Sequence, residues 1–367
     1  MRILLSGGGT AGHINPAIAI AEIVKEHCPD AAIAFVGTKE GMENELVGRA
    51  GFPIYHVRAQ GLRRSLSPSN LRALWLAATS PRHATKILAE FRPDLVIGTG
   101  GYVCYPLLRA AVRAGVPTAL HESNAVPGLA VRRLSSYVDA LWLNFRESAA
   151  YLPHRCVSPT HTGNPLRHDF AKADRAKARA ELGIPVDGFA VLSFGGSLGA
   201  EELNRAMMHF MKTTAQKEKD IWHFHACGTR HFSEWEPDVP HGKRTILLPY
   251  IDKMATYMAA ADVVICRAGA MTLSELALCG KCAILVPSPY VAGDHQRKNA
   301  MLLTNASAAY LCEERDLPKN KVGELILSIK NNRNMQKTAE HNIRQFAMPN
   351  ANRIIYEQIC RITAAKP

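Results

Sequence analysis

The sequence predicts an α/β protein built from two Rossmann-like domains in tandem, with parallel sheets facing across a cleft. A strand, a glycine loop and a helix follow one another at the N-terminus and again near the middle, from Phe189. Around these two starts, short apolar runs alternate with stretches of helical periodicity. The length of 367 residues is enough for two domains of ordinary size.

The first domain is expected to span residues 1–162. Arg2-Ile-Leu-Leu5 is a short buried strand, and Ser6-Gly-Gly-Gly-Thr-Ala-Gly-His13 is the loop that leaves it. Residues 14–26 repeat apolar side chains at helical spacing (Ile14, Ala17, Ile18, Ala21), with Pro16 in the first turn. Residues 31–36 form the next strand, which makes a parallel βαβ unit with its loops on the ligand-binding edge. Gly7-x-Gly9-x-x-Gly12 fits a dinucleotide fingerprint, though a turn that only packs helix on strand is the other reading. An NAD site also needs an acidic residue ending the second strand. Gly37-Thr38 stands there instead, which speaks against a nicotinamide oxidoreductase. His13 is either a structural histidine or a functional one at the mouth of the site. Strands at 92–98 and 116–121 run into Thr99-Gly-Gly-Tyr102 and Glu122-Ser-Asn-Ala-Val-Pro-Gly128, on the same edge as His13. Asn124 there can meet a sugar hydroxyl or hold its own turn.

Between these strands, residues 63–88 interleave Arg63, Arg64, Arg72, Arg82 and Lys86 with Leu66, Leu71, Leu74, Trp75 and Leu76. That mixture suits an anionic membrane surface, and it suits an ordinary amphipathic helix with its apolar face in the core.

The second domain, expected over 163–348, is entered through the Pro- and Gly-bearing stretch 160–167. Residues 189–194 form a strand, Gly195-Gly-Ser-Leu-Gly199 a second glycine loop, and 200–211 a helix. The strand at 263–266 turns at Arg267-Ala-Gly269, and Thr272-Leu-Ser-Glu275 is expected to open a helix that Gly280 closes. A helix N-terminus behind a glycine turn is where a phosphate or diphosphate sits. Glu275 is spaced to reach another part of such a ligand. Thr272-x-x-Glu275 is also a capping box that would fix the helix start unaided. Gln296, in the loop 293–300, is the other polar candidate.

The net charge of +12 favours an anionic partner. Nucleic acid is disfavoured, because the charge is spread along the chain with few aromatics beside it. No signal peptide is visible, and no apolar run approaches the roughly 18 residues of a membrane span. Nine scattered cysteines fit a reducing compartment. Cys279-Gly-Lys-Cys282 falls where a helix ends, which is wrong for a redox motif, and a zinc site would need two more ligands. His223, His225 and Cys227 share a strand face but lie too far apart to converge on one ion, so they are read as structural.

Seven motifs together resemble the MurG family of N-acetylglucosaminyltransferases in order and spacing over nearly the whole chain. They are Gly8-Gly-Thr-Ala-Gly-His13, Gly100-Gly-Tyr102, His121-Glu-Ser-Asn124, Gly163-Asn-Pro-Leu-Arg167, Gly195-Gly-Ser-Leu-Gly-Ala200, Cys266-Arg-Ala-Gly-Ala-Met-Thr-Leu-Ser-Glu275 and His295-Gln296 with Asn299-Ala300. The resemblance implies a glycosyltransferase-B fold in which a C-terminal helix, 349–367, crosses back to complete the first domain. It implies inverting transfer of N-acetylglucosamine from UDP-N-acetylglucosamine to the C4 hydroxyl of the muramoyl sugar of lipid I, giving lipid II for peptidoglycan. It implies donor contacts at Thr10, Ala11, Gly12, Asn124, Arg167, Ser197, Ile251, Ala270, Met271, Thr272, Leu273, Ser274, Glu275 and Gln296, with Glu275 on the ribose. It implies that the N-terminal glycine loops meet the lipid acceptor. Ala11, Ser123 and Leu198 depart from the usual pattern, and Leu198 cannot hydrogen-bond.

Inversion requires a general base, and His13 is the candidate. Helix N-termini and Arg167 would stabilise the leaving diphosphate. No D-x-D motif is present, so no metal and no cofactor is expected. With a lipid acceptor implied, Arg63, Arg64, Leu71, Arg72, Leu74 and Trp75 read as a membrane-docking patch. The protein is accordingly expected at the cytoplasmic face of the cell membrane, peripherally bound. The competing reading is another two-domain UDP-sugar enzyme, such as a UDP-N-acetylglucosamine 2-epimerase, which would need neither lipid acceptor nor patch.

Overall fold

The computed structural model describes residues 1–61, 69–196, 199–230, 232–240 and 242–364. The chain divides into two compact units, one comprising Met1–Leu166 with the C-terminal stretch from Met348, the other Arg167–Ala347. The first contains β1 (Arg2–Ser6), β2 (Ala32–Gly37), β3 (Ile54–His56), β4 (Leu95–Gly98), β5 (Thr118–Glu122), β6 (Ala140–Leu143) and β7 (Pro159–His161). They form one parallel sheet in the order β3-β2-β1-β4-β5-β6-β7.

Side chains alternate across this sheet as strand geometry demands. Ile3, Leu5, Leu95 and Ile97 face the helices Ala11–His27 and Ala351–Ala364, whereas Leu4 and Val96 face Pro81–Phe91 and Cys104–Arg113. The first helix begins at Ala11, three residues before the apolar stripe suggests, because the polar turn Ala11-Gly-His13 is already helical.

The boundary between the units differs from the expected one after residue 162. Residues 163–166 belong to the first unit because the C-terminal helix holds them. Asn352 brackets Leu166, accepting from its N–H at 2.9 Å and donating to its carbonyl at 2.7 Å. Gly163 has φ +76°, and a Cβ there would come within 2.5 Å of Met348 Cβ. That contact also places Met348 in the first unit rather than the second.

The second unit contains β8 (Phe189–Phe194), β9 (Ile221–Ala226), β10 (Thr245–Leu248), β11 (Val263–Cys266), β12 (Ala283–Leu285) and β13 (Tyr310–Leu311). Its parallel sheet runs β10-β9-β8-β11-β12-β13. Asp262 secures the start of β11, accepting from Arg175 at 2.7 Å, Arg179 at 3.1 Å and the Ala190 N–H at 2.8 Å.

The histidines of β9 are fully buried. His225 Nδ1 lies 3.2 Å from the Ser193 carbonyl, which only accepts, so Nδ1 carries the proton. Ser193 Oγ sits between His225 Nδ1 (2.8 Å) and His223 Nε2 (2.7 Å), and this polar chain replaces any convergent metal arrangement. The cysteines are unpaired thiols. Among the described residues no helix is long and apolar enough to cross a membrane.

Burial depresses the pKa of His225 to about 4, against a smaller upward effect of its Ser193 bond. It does the same to His121, which donates through Nε2 to the Gly163 carbonyl. Both stay neutral in the fold, so between pH 6.5 and 4 the unfolded chain binds more protons. Their stabilisation is complete above pH ~6.5 and shrinks as pH falls, by on the order of 3 kcal/mol each across that window. Urea unfolding at pH 7.5 and pH 5 should reveal this loss, and His225→Gln should flatten the pH dependence of the second unit.

Candidate functional sites at the two switch points

In each sheet the strand order reverses once, between β1 and β4 in the first unit and between β8 and β11 in the second. At such a point adjacent loops leave in opposite directions and open a crevice at the C-terminal strand ends.

In the first unit the crevice is walled by backbone. The loop after β1 and the loop after β4 pack so closely that a Cβ on Gly7 would strike the His13 carbonyl and Thr99 Oγ1, and one on Gly101 would strike the Gly8 carbonyl. Thr99 joins the two loops, donating through Oγ1 to the His13 carbonyl at 2.6 Å. Its own carbonyl lies 3.2 Å from His13 Nδ1. A carbonyl cannot donate, so Nδ1 bears the hydrogen and Nε2 keeps its lone pair. Burial lowers the His13 pKa, with the Glu122 charge and the Thr99 bond working partly against it. The imidazole is therefore neutral at neutral pH, with a basic nitrogen available. Thr10 caps the first helix through its backbone, leaving Thr10 and Gly12 exposed and Ala11 half-buried beside the helix N-terminus.

Glu122 is a buried carboxylate that the sequence reading leaves without a role. One oxygen accepts from Asn124 N at 2.9 Å and Asn124 Nδ2 at 3.0 Å, and the other accepts from Gly128 N at 2.9 Å. Asn124 is thus held by Glu122 as well as facing its own turn. A second overlooked carboxylate is Glu43, which reaches the end of β2 from a helix and accepts from Thr38 N and Oγ1, both at 2.8 Å. An acid does stand at that strand end, but it is buried, with Oε1 bonded to Thr38, and is not exposed to meet a ribose.

In the second unit the helix after β11 spans Ala270–Cys279, with Gly269 as its N-cap. This corrects the expectation that Thr272 opens it. Thr272 and Glu275 lie inside the helix, so they form no capping box. The helix starts earlier because Gly269 adopts the extended cap conformation itself. Met271, Thr272 and Glu275 are half-buried, whereas Ala270, Leu273 and Ser274 are buried. Glu275 therefore serves no cap. Burial raises its pKa to about 8, with Arg167 pulling it down and Asp169 pushing it further up. Arg167 and Glu275 are thereby brought into one electrostatic cluster.

Ile251 is buried and can present only its backbone to a ligand. Gln296 lies in the first turn of His295–Asn305, and its Oε1 accepts from Ser288 N at 2.8 Å. Its amide N–H groups are what it can offer outward. Ser197 and Leu198 lie outside the described residues, as do Arg63, Arg64 and Leu66. Of the basic–apolar segment, Ala73 and Leu76 are buried, while Leu71 is 73% and Trp75 62% exposed. The helix Ser69–Thr79 therefore sends part of its apolar content into the core and leaves Leu71 and Trp75, one turn apart, facing out. The side chains of Arg72 and Leu74 are not among those described.

Residues 3–142 match the glycosyltransferase family 28 N-terminal domain, and residues 190–354 match the glycosyltransferase family 28 C-terminal domain. The chain belongs to glycosyltransferase family 28. This family 28 chain is 40% identical to a protein of Thermoanaerobacter sp. (strain X514), over 99% of its own length and 100% of the relative's. It is also 40% identical to one of Acetivibrio thermocellus, over 98% and 97%. Both relatives are described as UDP-N-acetylglucosamine--N-acetylmuramyl-(pentapeptide) pyrophosphoryl-undecaprenol N-acetylglucosamine transferase. The crystal structure of Acinetobacter baumannii MurG superposes with a TM-score of 0.76 at 28% identity, covering 98% of this chain and 99% of that one. A putative UDP-N-acetylglucosamine 2-epimerase from Listeria monocytogenes reaches a TM-score of 0.65 at 13% identity, a likeness of fold alone. The glycosyltransferase-B architecture is thus established, and the epimerase alternative has no support beyond shared architecture.

Gly100 keeps the His13 ring in place. Its φ is +102°, and a Cβ there would lie 2.6 Å from His13 Nδ1. Gly100→Ala should cost about 1–3 kcal/mol in stability and displace the imidazole. Nitrogen-15 correlation spectra of the histidines should show the Nδ1–H tautomer of His13 in the parent protein and its loss in the variant.

Proposed function

We propose that this glycosyltransferase moves N-acetylglucosamine from UDP-N-acetylglucosamine to the C4 hydroxyl of the muramoyl sugar of lipid I, completing lipid II for peptidoglycan. The observation that carries this reading is near end-to-end identity of 40% with relatives described as that transferase. The two crevices agree with it chemically.

The reaction needs a base, an in-line attack and a stabilised leaving group. His13 Nε2 takes the proton of the acceptor hydroxyl as its oxygen attacks the anomeric carbon. The bond from that carbon to the diphosphate oxygen breaks, and its electron pair leaves with UDP. Attack opposite the α-linked diphosphate yields the β-linkage without a covalent intermediate. Thr10, Ala11 and Gly12 lie at the N-terminus of the helix Ala11–His27, and Ala270–Ser274 begin the helix Ala270–Cys279. Both N-termini present amide N–H groups to negative charge, and Arg167 adds a full positive one. Glu275, its pKa near 8, is largely protonated at neutral pH and can donate one hydrogen bond and accept another from the ribose diol. Ser197, Asn124, the Ile251 backbone and the Gln296 amide complete the donor contacts.

Leu71 and Trp75, with Arg82 and Lys86 exposed on the next helix, are the described part of a surface that docks on anionic lipid. The sequence reading assigns Arg63, Arg64, Arg72 and Leu74 to this patch as well. The enzyme then works peripherally, on the cytoplasmic face of the membrane that holds its acceptor.

Purified protein given UDP-N-acetylglucosamine and a lipid I analogue should release UDP only when the acceptor is present. UDP release independent of acceptor would refute this function. His13→Ala should lower kcat by at least about a hundredfold. Because the folded pKa of His13 is depressed, the acid limb of the parent profile should lie below pH 6.5. Replacing Leu71 and Trp75 with Asp should abolish sedimentation with phosphatidylglycerol vesicles while leaving turnover of a soluble, short-chain acceptor intact.

A further inference from the structure

Arg267 stands two residues before the N-cap of the helix Ala270–Cys279, yet its side chain turns away from that helix. Its guanidinium donates to the Val286 carbonyl at 3.2 Å, just past β12, and pairs with the Glu314 carboxylate, just past β13. Both charged side chains are nearly nine-tenths buried, at 13% and 11% exposure. The strands involved are neighbours, β11 pairing with β12 and β12 with β13. One side chain therefore spans three successive strand exits.

Two further bonds converge on the same loops. Asn299 Nδ2, fully buried on the helix His295–Asn305, donates to the Ala268 carbonyl at 3.2 Å. Gln296, on that helix, is tied to Ser288 in the loop that Val286 begins. The turn 267–269, the loop from Val286 to Gln296 and the exit of β13 are thus fastened together, with Arg267 at the centre.

We propose that Arg267 is a positioning residue for donor binding. By spanning Val286 and Glu314 it fixes the turn that opens the helix Ala270–Cys279, and it fixes the loop that carries Gln296. This rests on the reading that UDP-N-acetylglucosamine is held by those elements. Glu314 neutralises the guanidinium, so Arg267 acts through geometry rather than as a diphosphate ligand. A planar guanidinium can serve a carbonyl and a carboxylate at once. A lysine ammonium on a flexible stem holds neither direction.

Steady-state kinetics for both substrates, calorimetric binding of UDP and thermal unfolding test this on the full chain. Arg267→Lys should raise KM for UDP-N-acetylglucosamine and Kd for UDP about tenfold, leaving KM for a lipid I analogue unchanged. The pair Arg267→Met with Glu314→Met removes both charges together and should regain parental Tm while the donor KM stays raised. That separation of donor affinity from stability supports the positioning role. Parental donor KM in either variant would overturn it, as would equal losses in both KM values and Tm. If the parent protein itself binds no UDP, the functional reading fails, which is a result distinct from these.

Discussion

Parallel strand pairing obliges all the strands of a sheet to end at the same edge. Everything chemical in this protein follows from that constraint. Loops gather at one edge whether or not they are related in sequence, and at the single reversal of strand order two of them diverge. The first unit fills its reversal with glycine backbone and one imidazole. The second fills its reversal with a helix N-terminus and a carboxyl of raised pKa. Under the proposed function, the imidazole is the proton acceptor and the helix N-terminus a donor to the diphosphate.

The two crevices are stiffened by different means. In the first unit, loops without side chains lie close enough for Thr99 to bond both ways, to the His13 carbonyl and the His13 ring. The imidazole tautomer is consequently set by backbone rather than by a carboxylate. In the second unit, charged and amide side chains span gaps that backbone leaves open. Arg267 and Asn299 tie the turn after β11 to the segments after β12 and β13, and Gln296 closes the loop after β12 on itself. The first arrangement fixes a tautomer, and the second holds several loops in common register.

Local pattern made much of this readable beforehand. Apolar runs ending in glycine marked β1, β4, β8 and β11, and their shared edge followed from parallel topology alone. What escaped the sequence was set by contacts between distant positions. The helix after β11 starts at Gly269 because of backbone conformation, which the suggestive spacing of Thr272 and Glu275 disguised. Glu43 reaches the end of β2 from a helix, so a search for an acid on the strand itself could not find it. Glu122 was visible inside a motif, but its three bonds to residues 124 and 128 depend on a turn whose shape no periodicity reports. Arg267 and Glu314 are separated by β12, and no local signal couples them. The boundary near 166 was missed for the same reason, since Asn352 holds Leu166 from the far end of the chain.

That bracket has a consequence for how the molecule is made. Ile355 and Ile359 cover the face of the first sheet that also packs Ile3, Leu5 and Ile14. They lie on a helix that follows the second unit in the chain. During translation the whole second unit, residues 167–347, is complete before the first sheet receives its final cover. That apolar face therefore stays uncovered while the second unit is made, open to wrong partners until the helix Ala351–Ala364 arrives.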